Sequence, residues 1–245
     1  MRVQTDRGGA QAGAVSPTRR EGGRAEILDA AAKFIATSGF HGMSMRDLSR
    51  ATGKGLASLY NYFESKDELL FAMQSGSFQQ LIASAEGALE TITDPSDKLY
   101  AFIATHVRYV AEHPDIMRVL VQEASTLSPA HRRQVRSLKI RYFHLAESIV
   151  EEVLAAKSGG EPRRDPIDVE RTTYSIFGML NWVYGWYQPN RHGTAFDVAR
   201  SIHRLALSGL SARSRERLDL HQLERRISLE PMPSLSRVCA DEGHR

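Results

Sequence analysis

Cysteine is almost absent from this 245-residue chain, which holds a single one, Cys239. A lone cysteine cannot form an internal disulfide bond, so we expect a reducing compartment. Apolar runs of about 18 residues, the length that a membrane span needs, are also lacking. The first twenty residues show no apolar core of a signal peptide. We therefore expect a cytoplasmic protein with no membrane partner.

Sequence signatures of catalysis and metal binding are missing as well. The chain contains no GxSxG, no GxxxxGK[ST], no HExxH and no CxxC motif. Its nine histidines are scattered singly, and a lone histidine is more often a core or surface residue than a catalytic one. The sequence predicts a protein that is not an enzyme, with no catalytic residue, cofactor or metal site.

Charge is modest in total but uneven along the chain. The net charge is +3, and residues 1–66 carry ten Lys or Arg against six Asp or Glu. The remainder therefore sums to about −1. A contact with nucleic acid is expected in the first quarter, although solvated basic tails produce the same excess.

Apolar residues recur at spacings of three and four along most of the chain, which is typical of the buried face of a helix. Ile27, Ala31 and Ile35 show this spacing first, and Val135, Leu138 and Tyr142 show it again. No alternating strand pattern stands out. The predicted fold class is all-α, with about nine helices at 24–39, 45–52, 56–62, 66–91, 96–111, 115–127, 129–157, 167–187 and 196–210.

Residues 44–63 have the layout of a helix-turn-helix. Two helices of about eight residues flank a turn that contains glycine, and Met45, Leu48 and Ala51 are spaced to pack against Leu59 and Phe63. The second helix would be about 12 Å long, which suits a DNA major groove about 12 Å wide. Spacing alone also fits an ordinary corner between two helices, so it does not decide the function.

The residues of this segment closely resemble the TetR-family DNA-binding domain over about 24–73. The resemblance rests on Gly39 with Phe40, on MSMRDL at 43–48, on Gly53, on LYNYF at 59–63 and on SKDELL at 65–70. It implies three DNA-binding helices, a dimerising helical body and derepression by a small molecule. Lys54 and Gly55 depart from the family pattern, although Gly is a tolerated N-cap, so the operator sequence cannot be transferred.

The resemblance predicts four regions. They are a disordered basic arm at 1–20, a helix-turn-helix DNA-binding domain at 21–68, an effector-binding and dimerisation domain at 69–213, and a disordered tail at 214–245. The arm and the tail lack periodicity and are rich in polar and small residues, a composition typical of disorder.

Two kinds of DNA contact are expected. Short outward side chains of the second helix would reach base edges, while hydroxyls, amides and cations would bind phosphates. The alternative for each cation is a solvated surface side chain. The predicted set is Arg24, Ser44, Met45, Arg46, Lys54, Gly55, Leu56, Ala57, Ser58, Tyr60, Asn61, Tyr62 and Lys66.

The predicted helix at 167–187, ended by Pro189, is apolar all round, as in a helix buried on every side. One face would meet the protein's own core and the other a second copy of the chain, completing a four-helix bundle with the helix at 196–210. A homodimer would place two recognition helices about 34 Å apart on a palindromic operator. The predicted dimer residues are Ser175, Gly178, Met179, Trp182, Trp186, Ile202 and Leu205.

The segment 177–189 resembles a C-terminal subgroup of repressors of fatty-acid, phenylacetate and sterol-ring catabolism, several of which respond to acyl-CoA thioesters. An acyl-CoA needs an apolar cleft for its chain and cations for its phosphates. Arg132, Arg136 and Lys139 form a basic edge at i, i+4 and i+7. The alternative for the aromatic residues is a plain core or interface. The predicted effector residues are Phe102, His106, Met117, Arg132, Arg136, Lys139, Tyr142, Phe177, Asn181 and Tyr184.

Two other functions compete with a ligand-released repressor. A ligand-independent DNA-binding or architectural protein would have an aromatic body without a cavity, whereas a cavity of about 300 Å³ or more argues for an effector. A transcriptional activator is the second alternative, because operator position rather than protein sequence decides that role.

Overall fold

Eleven helices and no strand make up residues 19–123, 126–157 and 166–211, which the computed structural model describes. The predicted arm up to residue 18, residues 124–125, the loop at 158–165, and all residues from 212 on, which include the predicted tail at 214–245, lie outside the described residues. Arg19 and Arg20 belong to the first helix rather than to an arm. The helices are α1 (Arg19–Gly42), α2 (Met45–Thr52), α3 (Leu56–Tyr60), α4 (Lys66–Leu89), α5 (Pro95–Glu112), α6 (Pro114–Gln122), α7 (Pro129–Lys157), α8 (Pro166–Asn181), α9 (Val183–Trp186), α10 (Pro189–His192) and α11 (Ala195–Ser211).

The all-α prediction is confirmed, and most helices begin where the sequence places a cap. Ser44 and Asp47 form a reciprocal capping box at the start of α2, so two backbone groups without helical partners are satisfied together. Ser65 accepts a hydrogen bond from the Glu68 amide at the start of α4. Asp94 caps α5 ahead of a proline at its first position. None of the helices in the described parts of the chain is long and apolar enough to cross a membrane.

Gly39 interrupts α1, as predicted, because its backbone has φ 70° and ψ 164°. Residues with a Cβ rarely adopt this conformation. The interruption turns the following residues out of the α1 axis and directs the backbone amide of Phe40 towards Glu123, which lies 83 positions later in the chain.

The first four helices share one apolar core with the body. Ile27, Leu48, Leu59 and Phe63 are fully buried in it, and burying each such side chain contributes about 1.5–3 kcal/mol. The same cluster holds three side chains from the body, Val119, Leu127 and Val135. A movement of α6 or of the start of α7 would therefore change the packing of the helix-turn-helix.

The helices of the body pack mainly around α4, α5 and α7. α4, α5 and α7 pack on one another, α8 lies against α7 and α5, and α6 bridges α1, α4 and α9. The residues up to Leu207 form one compact unit, and a second unit begins at Ser208.

The single penultimate helix predicted at 167–187 is wrong in its length. α8 ends at Asn181, α9 follows as one turn, and α10 begins at Pro189. The backbone of Trp182 stays close to helical, but only one turn follows before Tyr187 becomes extended. The break accounts for α9, and α10, which lies beyond the predicted helix, is the second addition that gives eleven helices among the described residues instead of nine.

Candidate nucleic-acid interface and effector cavity

α3 presents a narrow exposed edge. Its only buried side chain, Leu59, holds it to the core at 0% exposure. Ala57, Tyr60 and Asn61 are exposed on the opposite side, while Leu56 and Ser58 are half-buried. The helix is two residues shorter than predicted, so Asn61 and Tyr62 lie in the turn that follows it. The edge still offers a short backbone-accessible surface of the kind that enters a major groove.

Arg24 is held against the end of this helix rather than reaching out from it. Its Nη1 donates a hydrogen bond to the Tyr62 carbonyl oxygen at 3.3 Å, and its guanidinium lies 4.4 Å from the centre of the Phe63 ring. Gly23 adds a close approach, because a Cβ there would lie 2.6 Å from the Tyr62 hydroxyl. α1 therefore fixes Tyr62 in place through these two contacts.

Two of the predicted phosphate-binding lysines are also engaged within the protein. Lys54 pairs with Glu26 at 2.7 Å. Lys66 lies over the Phe40 ring at 4.3 Å and within 3.5 Å of the His41 carbonyl oxygen, and burial lowers the pKa of this lysine. Arg46, by contrast, is exposed and has no hydrogen bond or ion pair among the described residues, which leaves it free for a phosphate.

The predicted anion site at the start of α2 already contains a carboxylate. Ser44 donates both its hydroxyl and its amide to Asp47, at 2.6 and 3.1 Å. These two hydrogen bonds hold the pKa of Asp47 below its usual range. Met45 is 8% exposed and belongs to the core, so its side chain is not available to DNA. Gly55 stays at the N-cap of α3 without a side-chain cap.

A cavity of about 600 Å³ lies in the body among α4, α5, α6, α7 and α8. Six of the ten predicted effector residues line it: His106, Met117, Lys139, Tyr142, Phe177 and Asn181. Its volume falls within the range of small-molecule sites and exceeds the roughly 300 Å³ that separates an effector-binding body from a solid one.

The other four predicted effector residues do not line the cavity. Phe102 is fully buried behind its wall, 5.1 Å from the Tyr142 ring centre. Tyr184 lies on α9, where its ring faces Arg118. Arg132 donates to the Leu127 carbonyl oxygen at 2.8 Å, and Arg136 is exposed. Because seven residues of helix span about 10 Å, only Lys139 of the predicted basic edge reaches the cavity.

The buried polar group of the cavity is His106, which is 2% exposed. Its Nδ1 lies 3.1 Å from the Tyr142 hydroxyl. Burial lowers the pKa of His106 to about 4 and raises the pKa of the Tyr142 phenol, so both side chains are neutral near pH 7. The imidazole Nε2 is buried and has no hydrogen-bond partner among the described residues.

Lys139 is the cation of the cavity. Its ammonium group lies 5.4 Å from the centre of the Phe78 ring, and burial lowers its pKa. Among the described residues it has no carboxylate partner. Glu147, which also lines the cavity, lies 2.8 Å from the His144 Nδ1. His144, Glu170, Tyr174 and Asn181 also line the cavity, and the remaining wall residues, apart from His106 and Tyr142, are apolar.

Sequence reasoning missed the part of the wall that comes from α4 and from one side of α7. Phe78 and Leu81 are spaced at i and i+3 on α4, and Ile140, Phe143 and Glu147 follow α7. Their apolar periodicity was visible, but the same pattern describes a solid core, so no signal in the sequence separates the two.

Two carboxylates that were not predicted connect the helix-turn-helix side to the body. Glu123, just after α6, accepts a hydrogen bond from the Phe40 amide at 2.9 Å, and its own carbonyl oxygen accepts one from Gln74. Asp67, at the start of α4, contacts His131 and accepts a hydrogen bond from the Ser128 amide at 2.8 Å. The cavity residues Met117, Leu120 and Val121 lie on the same short helix that precedes Glu123.

We call the predicted dimer residues other than Ile202 the exposed face, because all of them are exposed or half-buried. Trp182 is 62% exposed and Leu205 is 66% exposed. Ser175, Gly178 and Trp186 are exposed too, and Met179 is half-buried. Ile202 differs: at 6% exposure it packs within its own protomer and is not part of this face.

Known proteins resemble this chain over most of its length. Residues 27–73 match the family described as bacterial regulatory proteins, tetR family, and residues 93–210 match the tetracyclin repressor-like C-terminal domain. The crystal structure of the TetR-family regulator PfmR from Thermus thermophilus is 31% identical. This chain covers 99% of it, the match covers 76% of this chain, and the TM-score is 0.66.

Two further proteins are similar to this chain over most of its length. The HTH-type transcriptional repressor KstR2 of Rhodococcus jostii (strain RHA1) is 26% identical over 195 residues, which are 79% of this chain and 93% of the relative. AibR, solved in complex with isovaleryl coenzyme A and operator DNA, is 23% identical and has a TM-score of 0.64, with 75% of this chain and 97% of AibR covered. At that identity the likeness to AibR shows the fold alone. The two family matches and the likeness to PfmR show that the chain belongs to the TetR family of bacterial transcriptional regulators.

Proposed function

We propose that this protein is a cytoplasmic, homodimeric repressor that binds a palindromic operator through α3 and leaves it when an acyl-CoA enters the body cavity. The family members that it matches are DNA-binding transcriptional regulators and not enzymes. One observation carries the effector part of the proposal. The cavity of about 600 Å³ is lined by α6 residues, and the residue that follows α6 is hydrogen-bonded to the first DNA-binding helix.

The exposed edge of α3 supports the DNA part. Ser58 and Asn61 would read base edges, and Arg46 together with the Tyr60 hydroxyl would bind phosphates. The region 21–68 would act as the DNA-binding domain and 69–213 as the effector and dimer domain. Lys54, Lys66 and Arg24 would help mainly by holding α3 and its flanks in position, since each has a partner within the protein.

The apolar wall and Lys139 support an acyl-CoA. The wall suits an acyl chain, and the ammonium group without an acid partner suits an anionic group of the coenzyme. AibR, which has the same fold, is described with isovaleryl coenzyme A bound. The presence of a cavity also argues against a ligand-independent architectural protein.

The exposed face of α8, α9 and α11 supports a homodimer. Aromatic and aliphatic side chains are left in water there, with Trp182 and Leu205 the most exposed. Large aromatic residues are enriched at protein interfaces. Replacement of Leu205 by Glu would place a charge on this face, and sedimentation velocity is expected to show monomers for L205E and dimers for the wild-type protein. A wild-type monomer would contradict the dimer.

Operator selection tests the proposed function directly. Selection from random oligonucleotides is expected to recover one enriched palindrome with the wild-type protein. Asn61→Ala is expected to relax base preference, while Arg46→Ala weakens binding to all sequences alike. Addition of isovaleryl-CoA or decanoyl-CoA is expected to release the selected DNA. The absence of any enriched site contradicts the DNA part, and retention of DNA with every acyl-CoA contradicts the effector part alone.

A further inference from the structure

One residue of the cavity wall carries a buried polar atom that the protein does not satisfy. The His106 ring lines the cavity wall, its Nδ1 contacts the Tyr142 hydroxyl, and its Nε2 is buried without a partner among the described residues. A buried polar atom left unpaired destabilises a protein by about the full desolvation cost of that atom. Such atoms in native structures therefore call for an explanation.

The hydrogen-bond pattern indicates which of the two ring nitrogens carries the proton. If Nδ1 donated to Tyr142, the phenolic proton and the Nε2 lone pair would both lack partners. If the Tyr142 hydroxyl donates to Nδ1 instead, only the proton on Nε2 lacks one. The second arrangement leaves fewer unsatisfied groups, so Nε2 is a hydrogen-bond donor. The low pKa of His106 agrees with a neutral ring.

The side chains that pack against the His106 ring are aromatic. The Phe177 ring centre lies 6.2 Å from the His106 ring centre, and Phe102 closes the wall behind Tyr142 and Phe177. An apolar occupant would therefore fill the cavity without pairing Nε2. An occupant that carries one oxygen at this point would pair it while burying the rest of its surface.

We propose that His106 is a specificity-determining residue that donates a hydrogen bond from Nε2 to a neutral acceptor oxygen, preferably a carbonyl, on an otherwise apolar ligand, and that Tyr142 positions the ring for it. The proposal deepens the proposed function and rests on the cavity being the effector site. In an acyl-CoA the acceptor would be the thioester carbonyl or an oxygen borne by the acyl group. A site built to pair an oxygen rejects an analogue that lacks it.

A pair of ligands with one carbon skeleton tests this proposal. The probes are 1-phenylbutan-1-one, which carries a carbonyl acceptor, and butylbenzene, which has no polar atom. Transfer from water into an apolar medium favours butylbenzene. Isothermal titration calorimetry on the full-length wild-type protein is nevertheless expected to show at least tenfold tighter binding of the ketone. Equal affinities, as an ordered water at Nε2 would give, overturn the proposal, and so does the absence of ketone binding.

Variants of the same protein locate the effect. His106→Phe is expected to reduce the ketone preference to about onefold or below. His106→Gln, whose side-chain amide can place an N–H near the position of Nε2, is expected to restore part of it. Tyr142→Phe is expected to retain an intermediate preference, because the ring loses the partner that selects its tautomer. Met117→Leu, at another point of the wall, is expected to change both affinities by the same factor.

The outcomes separate this proposal from the proposed function. An unchanged ketone preference in both His106 variants overturns the role of His106, whatever happens on DNA. Thermal melting checks that each variant folds. If His106→Phe does not fold, His106→Gln alone still decides the test. Operator binding by the ligand-free wild-type protein is measured in parallel. If the ligand-free protein does not bind an operator, the proposed repressor function is contradicted. If it binds an operator normally but binds the two ligands with equal affinity, only the proposed role of His106 is contradicted.

Discussion

The helix-turn-helix and the body cavity differ in whether their polar groups have partners within the protein. Around α3 several polar side chains are paired within the protein: Lys54 with Glu26, Arg24 with the Tyr62 carbonyl oxygen, and Ser44 with Asp47. In the cavity, His106 Nε2 and the Lys139 ammonium lack such partners among the described residues. A surface that reads DNA needs fixed geometry, while a site that awaits a ligand needs unsatisfied groups.

Hydrogen bonds and a shared apolar core connect the two regions. Glu123 and Asp67 supply these hydrogen bonds, and the shared core adds Val119, Leu127 and Val135. The comparison therefore predicts that stability is concentrated on the DNA side, that response depends on the link, and that ligand preference depends on the cavity. Substitutions that disrupt these three features are expected to differ in the size of their effects.

The largest effect is expected for Leu59→Ala, which breaks the fixed region. Leu59 is the only side chain of α3 with no exposure, and removing a buried leucine side chain costs about 2–5 kcal/mol. Urea unfolding is expected to show this loss, and operator binding is expected to fall with it. Ala57→Ser, on the exposed side of the same helix, is the control and should stay within about 0.5 kcal/mol of wild type. A loss equal to the control would contradict the assigned packing.

Glu123→Ala tests the link. The Phe40 amide and the Thr126 hydroxyl both lose their carboxylate acceptor, and hydrogen bonds to charged groups contribute about 1.5–3 kcal/mol. We expect a loss of that order in unfolding free energy and a weaker release of operator by acyl-CoA in a fluorescence anisotropy assay. Glu123→Gln keeps one acceptor oxygen and should lose less. Unaltered release in the alanine variant would show that coupling does not pass through this contact.

The pH dependence of stability tests the buried histidine. The unfolded chain binds a proton at His106 near pH 6.5, while the folded protein does so only near pH 4. Unfolding therefore becomes easier as pH falls from about 6.5 towards 4, by about 2 kcal/mol at pH 5 relative to pH 7. In His106→Phe this component disappears, so its stability should decline less over the same interval. Parallel curves from urea unfolding at each pH would contradict the burial.

The smallest effect separates free from engaged cations on the DNA side. Arg46→Ala is expected to reduce the slope of log K against log salt by about 0.9 per subunit, the value for one lost phosphate contact, and so by about 1.8 for the dimer. Lys54→Ala should change the slope less, because Lys54 is paired with Glu26. Filter binding at several salt concentrations measures both slopes. Equal changes would mean that Lys54 leaves Glu26 when DNA binds.

Local signals in the sequence predicted most of the fold. The caps at Ser44, Ser65 and Asp94 and the break at His113 with Pro114 are short-range features, and each marks a helix end in the structure. The end of α8 at Asn181 was not predictable in this way, since no proline or glycine stands at that position.

The candidate site was likewise predictable only where the signal is local in the sequence. Six cavity residues could be chosen because five are aromatic or polar, and the sixth, Met117, is a large apolar residue, on helices with an apolar face. The pairing of Lys54 with Glu26 could not be foreseen, because 28 positions separate the two residues and only the crossing of α1 and the turn brings them together. Likewise, Ile202 and Leu205 look alike in sequence, but the protomer's own packing buries only the first.

Gly39 has a consequence for how this protein can change over generations. Its backbone conformation of φ 70° and ψ 164° is essentially restricted to glycine, and the Phe40 amide that follows meets Glu123. Every amino-acid replacement at that codon adds a Cβ to a backbone that cannot accept one without strain. Substitutions at this position are therefore expected to destabilise the protein, and homologous genes that keep the Phe40–Glu123 hydrogen bond should encode glycine there.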